Sequence, residues 1–232
     1  VPLNFLPQGQ TANYILTGVW SEKALAEAKG LGATKIGGSS KNQGYNYIPD
    51  LNQLEVDGED AYVHLTSNNT IYGTQWHKFP DTKDVPLVVD MSSDILSKPL
   101  EMDKFSLIYA GAQKNLGPAG VTVVILREDL LQRAADNLPT MLKYSTHAEK
   151  NSLFNTPPTF GIYLLGKVLA WVEKQGGVRA VQEVNATKAA LLYDAIDESN
   201  GFYRGHAQKA SRSVMNVTFN LESKELEERF LA

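Results

Sequence analysis

The sequence contains no cysteine, and this absence excludes disulfide bonds, thiolate metal sites and cysteine nucleophiles. It suits a reducing compartment, and we expect a cytoplasmic protein. Long apolar runs are lacking as well. The longest, 160–172, is interrupted by Lys167 and is shorter than the roughly 18 to 20 residues that a membrane span needs. We therefore expect no membrane partner.

The chain also lacks an excess of positive charge. It has 22 basic and 26 acidic residues, a net charge of −4, and no basic cluster interleaved with aromatic residues, so we expect no nucleic-acid partner. The histidines show none of the spacings typical of metal ligands, so we expect no metal site; they are His64, His77, His147 and His206. What is present is 43% hydrophobic content in 232 residues, enough for a sizeable core.

Short apolar runs, separated by polar or glycine-containing loops, predict the buried strands of an α/β sheet. These runs are 34–36, 61–65, 86–90, 106–109 and 121–126. A helix is predicted from Ser21 to the glycines at 30 and 32. After Pro157 the periodicity becomes helical, with one helix over 160–174 and apolar positions recurring at helical spacing from 181 to 196.

The last part of the chain indicates a second domain. Residues 213–221 alternate between polar and apolar side chains, which predicts a half-buried strand that begins a second sheet. A helical pattern follows up to Ala232. We expect a domain boundary near Asn200 and Gly201, with a large domain over 1–200 and the start of a smaller one over 201–232.

Lys114 lies in a small loop bounded by glycines, between two apolar strands. The common interpretation of a loop lysine is a solvated surface residue. The preceding strand, however, ends in Asp90, and the carboxyl ends of neighbouring strands in an open α/β sheet meet at the ligand-binding edge. The alternative for Asp90 is a turn or helix cap, since Ser92 and Ser93 follow it closely.

An amine and a carboxylate at one sheet edge are what pyridoxal phosphate requires. The amine condenses with the cofactor's aldehyde, and the acid keeps the pyridine nitrogen protonated so that the ring can accept electrons. Spacing alone does not single out this cofactor.

Segment 110–120, Ala-Gly-Ala-Gln-Lys-Asn-Leu-Gly-Pro-Ala-Gly, resembles the lysine loop of the phosphoserine aminotransferases, which are fold-type-I pyridoxal-phosphate enzymes of class V. The resemblance continues through 90–99, 154–160 and 1–4. It implies a mixed, mainly parallel sheet flanked by helices as the cofactor-binding large domain, plus the start of a small C-terminal α/β domain. Members of that family begin earlier, with a glycine-rich segment, and continue into a domain with a substrate-binding arginine, so we expect a chain truncated at both ends.

The resemblance also implies a role for each site residue. Lys114 would be catalytic, forming the Schiff base with pyridoxal 5′-phosphate and moving the proton between the substrate's α-carbon and the cofactor. Asp90 would hold the pyridinium nitrogen, and Trp20 would stack on the ring. Gln113 would contact the cofactor phosphate, and Thr70 would hydrogen-bond the phenolic oxygen.

Two further residues would act across a homodimer. Asn155 and Thr156 would reach the cofactor phosphate of a neighbouring subunit. Thr156 has a structural alternative, because a threonine before Pro157 is a good helix N-cap. Trp20 has one too, since an isolated tryptophan is usually a core residue. Asn69 stands where members of the family often carry an acid, which makes the neighbouring Thr70 contact less secure.

The reaction implied by the resemblance transfers the amino group of glutamate to 3-phosphohydroxypyruvate, giving O-phosphoserine and 2-oxoglutarate in serine biosynthesis. It would run in two halves, with ping-pong kinetics. The resemblance also implies a related phosphorylated hydroxythreonine substrate in vitamin B6 synthesis. Two alternatives remain: a fold-type-I aminotransferase with another substrate pair, and a catalytically silent fragment that at most binds cofactor or dimerises.

Overall fold

The computed structural model describes all 232 residues. It contains seven α-helices: α1 Pro2–Phe5, α2 Val19–Lys29, α3 Glu128–Leu131, α4 Tyr144–Glu149, α5 Thr159–Lys174, α6 Gly177–Asp197 and α7 Lys224–Leu231. It contains ten strands: β1 Thr11–Leu16, β2 Ala33–Ser39, β3 Asp60–Thr66, β4 Asn68–Asn69, β5 Thr74–Gln75, β6 Leu87–Asp90, β7 Leu107–Gly111, β8 Thr122–Leu126, β9 Tyr203–Gly205 and β10 Phe219–Leu221. None of the helices combines the length and apolar character that crossing a bilayer requires.

The central sheet has six strands in the order β2-β1-β3-β6-β7-β8. All neighbouring pairs are parallel except β7 and β8, which are antiparallel. Two short antiparallel ribbons, β4 with β5 and β9 with β10, complete the strand pairing. The prediction of a mixed, mainly parallel sheet flanked by helices is confirmed.

Both faces of this sheet carry a hydrophobic core. One face includes Val63, Leu65 and Val89, and the opposite face includes Tyr62 and Val88. Successive residues of a strand point to opposite faces, so a strand buried on both sides is apolar along its length. With the faces covered, the carboxyl ends of the strands are where polar side chains can project.

All five predicted strands of the central sheet exist, but β1 was missed. Its polar Asn13 interrupts the apolar pattern, yet the side chain is buried because its amide donates to Asp60 Oδ2 at 2.9 Å and to the Glu55 carbonyl at 2.7 Å. Helix α2 begins at Val19 rather than at Ser21. The Ser21 hydroxyl accepts hydrogen bonds from the backbone N–H of Thr17 and Gly18, so it serves the start of the helix from inside its first turn.

The prediction of one strand over 213–221 is wrong for most of its length. Only Phe219–Leu221 pairs in a ribbon, with Tyr203–Gly205. At the other end, Ser213 Oγ accepts from the N–H groups of Met215 and Asn216, both at 3.0 Å, which makes a turn in place of a ladder. These N–H groups therefore bond to the Ser213 hydroxyl, whereas a strand would have paired them with the backbone of a neighbouring strand.

Candidate active site

Four segments that the sequence analysis singled out converge on the carboxyl edge of the sheet. The parallel neighbours β1, β3, β6 and β7 all point their carboxyl ends to this edge. The chain that follows them carries Trp20 after β1, Thr70 after β3 and Lys114 after β7, while Asp90 is the last residue of β6. Residues up to 94 positions apart in the sequence, from 20 to 114, are thereby collected along one edge.

Lys114 contacts two of the other candidates directly. Its Nζ donates a hydrogen bond to Thr70 Oγ1 at 3.1 Å and lies 5.0 Å from the centroid of the Trp20 ring. Trp20 is 39% exposed, so its alternative interpretation as a core residue is wrong. The amine is exposed, with an aromatic face on one side and a hydroxyl on another.

Short anchors hold the lysine loop on both sides of Lys114. The Asn115 amide donates to the Ile95 carbonyl at 2.6 Å, and the Leu116 side chain is buried. The Ala112 carbonyl accepts from the N–H groups of Leu116 and Gly117, which closes a tight turn around the lysine. The anchors fix the backbone of the loop, from which the exposed side chain of Lys114 projects.

Gln113 is exposed and folds back over Gly111. A methyl group placed on Gly111 would lie 2.6 Å from Gln113 Oε1, so the absence of a side chain at position 111 makes room for the Gln113 amide. The amide thus lies at the end of β7, one residue before Lys114. This position suits an amide that contacts a ligand bound at the lysine.

Asp90 is oriented by Ser92. Asp90 Oδ1 accepts from the Ser92 N–H at 2.9 Å and from the Ser92 hydroxyl at 2.6 Å. Ser92 Oγ in turn accepts from the Gly111 N–H at 3.1 Å, which links the ends of β6 and β7. The turn role considered for Asp90 therefore exists, and it is compatible with a ligand role because both bonds go to Oδ1. Sequence reasoning missed Ser92 as a site residue, although the Asp-x-Ser spacing was its signal.

Asn69 braces the site from inside the fold. Its amide nitrogen lies 3.0 Å from Thr17 Oγ1 and 3.1 Å from Thr74 Oγ1, and its side chain is buried. Thr17 precedes the turn into α2, which carries Trp20, while Thr70 follows Asn69 directly. The amide therefore connects the two segments that present Trp20 and Thr70 to Lys114.

Asn155 and Thr156 are not joined to the other candidate residues by hydrogen bonds. Both are exposed, between α4 and α5, and neither bonds to Lys114 or Asp90. The structural alternative for Thr156 is wrong: α5 begins at Thr159 with Pro158 as its N-cap residue, and Thr159 donates its hydroxyl to the Pro157 carbonyl. Two consecutive prolines place the helix start later than the Thr-Pro pattern predicts.

Lys114 and Asp90 share the edge without neutralising each other, since no ion pair joins them. The edge offers a nucleophilic amine, a carboxylate, a hydroxyl donor and an aromatic face. This donor set fits a flat aromatic aldehyde with a basic ring nitrogen: the amine suits the aldehyde, the carboxylate suits the nitrogen, and the Trp20 ring suits the flat face.

A buried histidine lies behind this edge. His64, in β3, bonds through Nε2 to the Tyr109 hydroxyl at 2.9 Å. Burial lowers the pKa of His64 to about 3. Burial and the neighbouring Asp90 carboxylate raise the pKa of Tyr109 above its ordinary value. Both side chains are therefore neutral in the folded protein at neutral pH.

The low pKa of His64 predicts acid sensitivity of the fold. An unfolded histidine binds a proton below about pH 6.5, while the folded one stays neutral down to about pH 3, so stability falls with pH between these values. We expect His64 to account for a loss of roughly 2 kcal/mol in unfolding free energy between pH 7 and pH 5. Urea unfolding of the wild type and His64→Gln at both pH values measures this loss.

Comparison with His64→Gln separates the effect of His64 on stability from that of Asp94, whose pH dependence has the opposite sign. Burial raises the pKa of Asp94, whose carboxyl therefore favours the fold as pH falls towards its ordinary value of 3.8. Because Asp94 is unchanged in His64→Gln, the difference between the two pH dependences reports His64 alone. Equal pH dependences in the two proteins would contradict the prediction.

Comparisons with known proteins agree with this geometry. The family described as aminotransferase class-V matches residues 2–232. Phosphoserine aminotransferase of Halalkalibacterium halodurans is 62% identical over 232 residues, which are 100% of this chain and 64% of that protein. The chain thus spans about 64% of the length of the curated relatives it matches.

Solved structures give the same result. Phosphoserine aminotransferase from Bacillus circulans subsp. alkalophilus superposes with a TM-score of 0.98 at 56% identity, covering 99% of this chain and 64% of that one. PLP-bound phosphoserine aminotransferase from Trichomonas vaginalis superposes with a TM-score of 0.88 at 34% identity, covering 98% and 65%. The sheet and its edge are therefore similar to those of these enzymes.

Proposed function

The chain belongs to the class-V aminotransferase family, and from this premise we propose that its sheet edge binds pyridoxal phosphate for amino transfer from glutamate to 3-phosphohydroxypyruvate. The observation that carries the proposal is the contact of Lys114 Nζ with Thr70 and the Trp20 ring, next to an acid with which it forms no ion pair. The similarity to phosphoserine aminotransferases supports the substrate pair, and the PLP-bound relative from Trichomonas vaginalis supports the cofactor.

Each residue of the edge has a definable task in this proposal. Bound pyridoxal phosphate supplies an aldehyde carbon and an electron-accepting ring. Lys114 Nζ would bind that carbon covalently and, once released as a free amine, would move a proton at the substrate's α-carbon. Asp90 would hold the proton on the ring nitrogen, and Thr70 would donate a hydrogen bond to the phenolic oxygen. Trp20 covers one face of the ring and excludes water from it.

The remaining tasks concern the phosphate and the assembly. Gln113 contacts the cofactor phosphate from the same edge. Asn155 and Thr156, which are exposed, would reach the phosphate of a neighbouring subunit in a homodimer. The proposal includes a cofactor-binding domain over 1–200 and the start of a smaller domain over 201–232. A cytoplasmic location is supported by the lack of cysteine.

The test is a spectrum of the purified chain with added pyridoxal phosphate, before and after borohydride, followed by peptide mass mapping. We expect an absorbance band near the visible edge and a reduced adduct on Lys114. Lys167 is the matched control position, because it is also exposed and its Nζ also lies 5.0 Å from an aromatic centroid, that of Tyr163. An adduct spread evenly over Lys114 and Lys167 would refute a specific cofactor site.

The substrate pair is tested on the Schiff base before any borohydride is added. Glutamate should bleach the band, and 3-phosphohydroxypyruvate should restore it with formation of O-phosphoserine. Bleaching by a different amino acid, with no response to 3-phosphohydroxypyruvate, would replace the substrate pair and keep the reaction class. An adduct that responds to no amino acid would identify a cofactor-binding chain without turnover.

A further inference from the structure

A line of polar side chains runs across one face of the sheet behind Asp90. In the strand register, Val88 of β6 pairs with His64 of β3 and with Leu107 of β7, and Asp90 pairs with Tyr109. Residues two apart in a strand share a face, so all five side chains lie on the same side. Tyr109 is thus beside Asp90, and its hydroxyl reaches diagonally past Val88 to His64 Nε2 at 2.9 Å.

The environment of His64 decides which atom donates in this bond. The ring is buried, and its Nδ1 has no hydrogen-bond partner. A neutral imidazole carries one N–H, and an orphaned buried N–H is rarer and costlier than an orphaned acceptor. The proton is therefore on Nε2, where it has a partner. It follows that His64 donates to the Tyr109 oxygen, and the Tyr109 proton is left for another acceptor.

Asp90 is the acceptor that lies beside Tyr109 on this face. The two residues are opposite each other in adjacent strands, on the same face. Both Ser92 donors go to Asp90 Oδ1, which leaves Oδ2 for a further donor. The influence of the Asp90 charge on the pKa of Tyr109 agrees with this proximity. The face therefore contains a directional pair of donors, from His64 to Tyr109 and from Tyr109 towards Asp90.

We propose that Tyr109, oriented by His64, is a positioning residue that directs its hydroxyl hydrogen towards the Asp90 carboxylate and holds that carboxylate in place at the sheet edge. The inference deepens the proposed function and rests on it, because the carboxylate so held is the one that binds the ring nitrogen of the cofactor. Ser92 holds Oδ1 of Asp90 from the chain that follows β6, and Tyr109 would hold the carboxylate from the adjacent strand β7.

The first test needs no cofactor. Long-range nitrogen–proton NMR of the histidine rings distinguishes the two neutral tautomers, and the signal lost in His64→Gln identifies His64. We expect the Nε2–H tautomer at neutral pH. An Nδ1–H tautomer would overturn the inference, because Tyr109 would then have to donate its proton to His64.

The second test uses the cofactor adduct and Tyr109→Phe. A loosened Asp90 holds the ring proton less firmly, and loss of that positive charge favours protonation of the Schiff base. We expect the pH midpoint of the adduct's absorbance to rise, and pyridoxal phosphate to bind about threefold to tenfold more weakly. His64→Gln keeps an amide donor at the position of Nε2. Its pH midpoint and its affinity for pyridoxal phosphate should therefore lie closer to those of the wild type than the values of Tyr109→Phe do.

Tyr62→Phe is the matched control for Tyr109→Phe. Tyr62 is also buried on this face and loses a hydroxyl bond, to Tyr14 at 2.9 Å, but this bond is remote from Asp90 in the register. An unchanged midpoint in Tyr109→Phe, equal to that of Tyr62→Phe, would overturn the inference and leave the proposed function standing. A wild-type chain that forms no adduct would refute the proposed function, and this inference with it.

Discussion

Replacing Lys114 by alanine should abolish the cofactor adduct and slow any glutamate-dependent bleaching by at least about a thousandfold. The reason is that Lys114 Nζ is the amine at the edge that contacts both Thr70 and the Trp20 ring, where the ring of the cofactor would lie. Absorbance spectra and borohydride mapping measure the adduct, and stopped-flow mixing with glutamate measures the rate. The fold should survive, because the side chain is exposed and the loop is anchored by Asn115 and Leu116.

Two controls separate nucleophilicity from charge. Lys114→Arg keeps a cation beside Trp20 but cannot lose its proton to attack an aldehyde, so it should fail as fully as alanine. Lys167→Ala removes a lysine of comparable exposure and aromatic contact and should leave the adduct intact. Wild-type spectra from the alanine variant at Lys114 would show that another amine binds the cofactor.

Asp90→Asn should keep the adduct on Lys114 but slow the glutamate half-reaction by about a hundredfold to a thousandfold. The asparagine oxygen can still accept the two Ser92 bonds, so the strand end should retain its geometry. A neutral amide, however, cannot hold a positive charge on a ring nitrogen, and a ring without that charge accepts electrons poorly. Comparing the adduct yield with the rate of bleaching separates the two effects.

Asp81→Asn is the control for this carboxylate. Asp81 Oδ1 accepts from the Lys83 N–H at 3.0 Å, the same turn contact that Asp90 makes with Ser92, but Asp81 is exposed and follows no strand of the central sheet. Its replacement should change neither adduct nor rate. If Asp90→Asn bleaches as fast as Asp81→Asn, the carboxylate has only its turn role.

The strands of the sheet could be predicted because their signal is local. Runs such as 86–90 and 121–126 are apolar whatever surrounds them, and a strand buried on both faces requires that composition. Strand β1 escaped prediction because its Asn13 is tolerated only through bonds to Asp60 and Glu55, more than 40 positions away. Segment 213–218 was mispredicted for a different reason: the Ser213 hydroxyl forms a local turn that the alternation of polar and apolar residues does not reveal.

The residues of the site also divide into those that the sequence predicts and those that only the structure shows. Lys114 and Asp90 were accessible because each is a polar residue at the end of a buried run. The supporting residues were not: Ser92 bonds Asp90, Asn69 connects Thr17 with Thr74, and His64 reaches Tyr109 across an intervening strand. Ser92 had a local signal in the Asp-x-Ser spacing. No local pattern marks Asn69 or His64 for such a task, because their partners are determined by the packing of the strands.

The sequence by itself determined the class of fold, the strand ends that carry chemistry, and the amine and acid that stand there, because burial patterns and strand ends are properties of neighbouring residues. The tertiary structure alone decided that Lys114 lies against Thr70 and Trp20, that Asn155 and Thr156 form no hydrogen bond with them, and that Tyr109 lies beside Asp90. These contacts depend on strand order and register, which arise from the packing of the whole sheet, and a hydrogen bond forms only where that packing brings two atoms within reach.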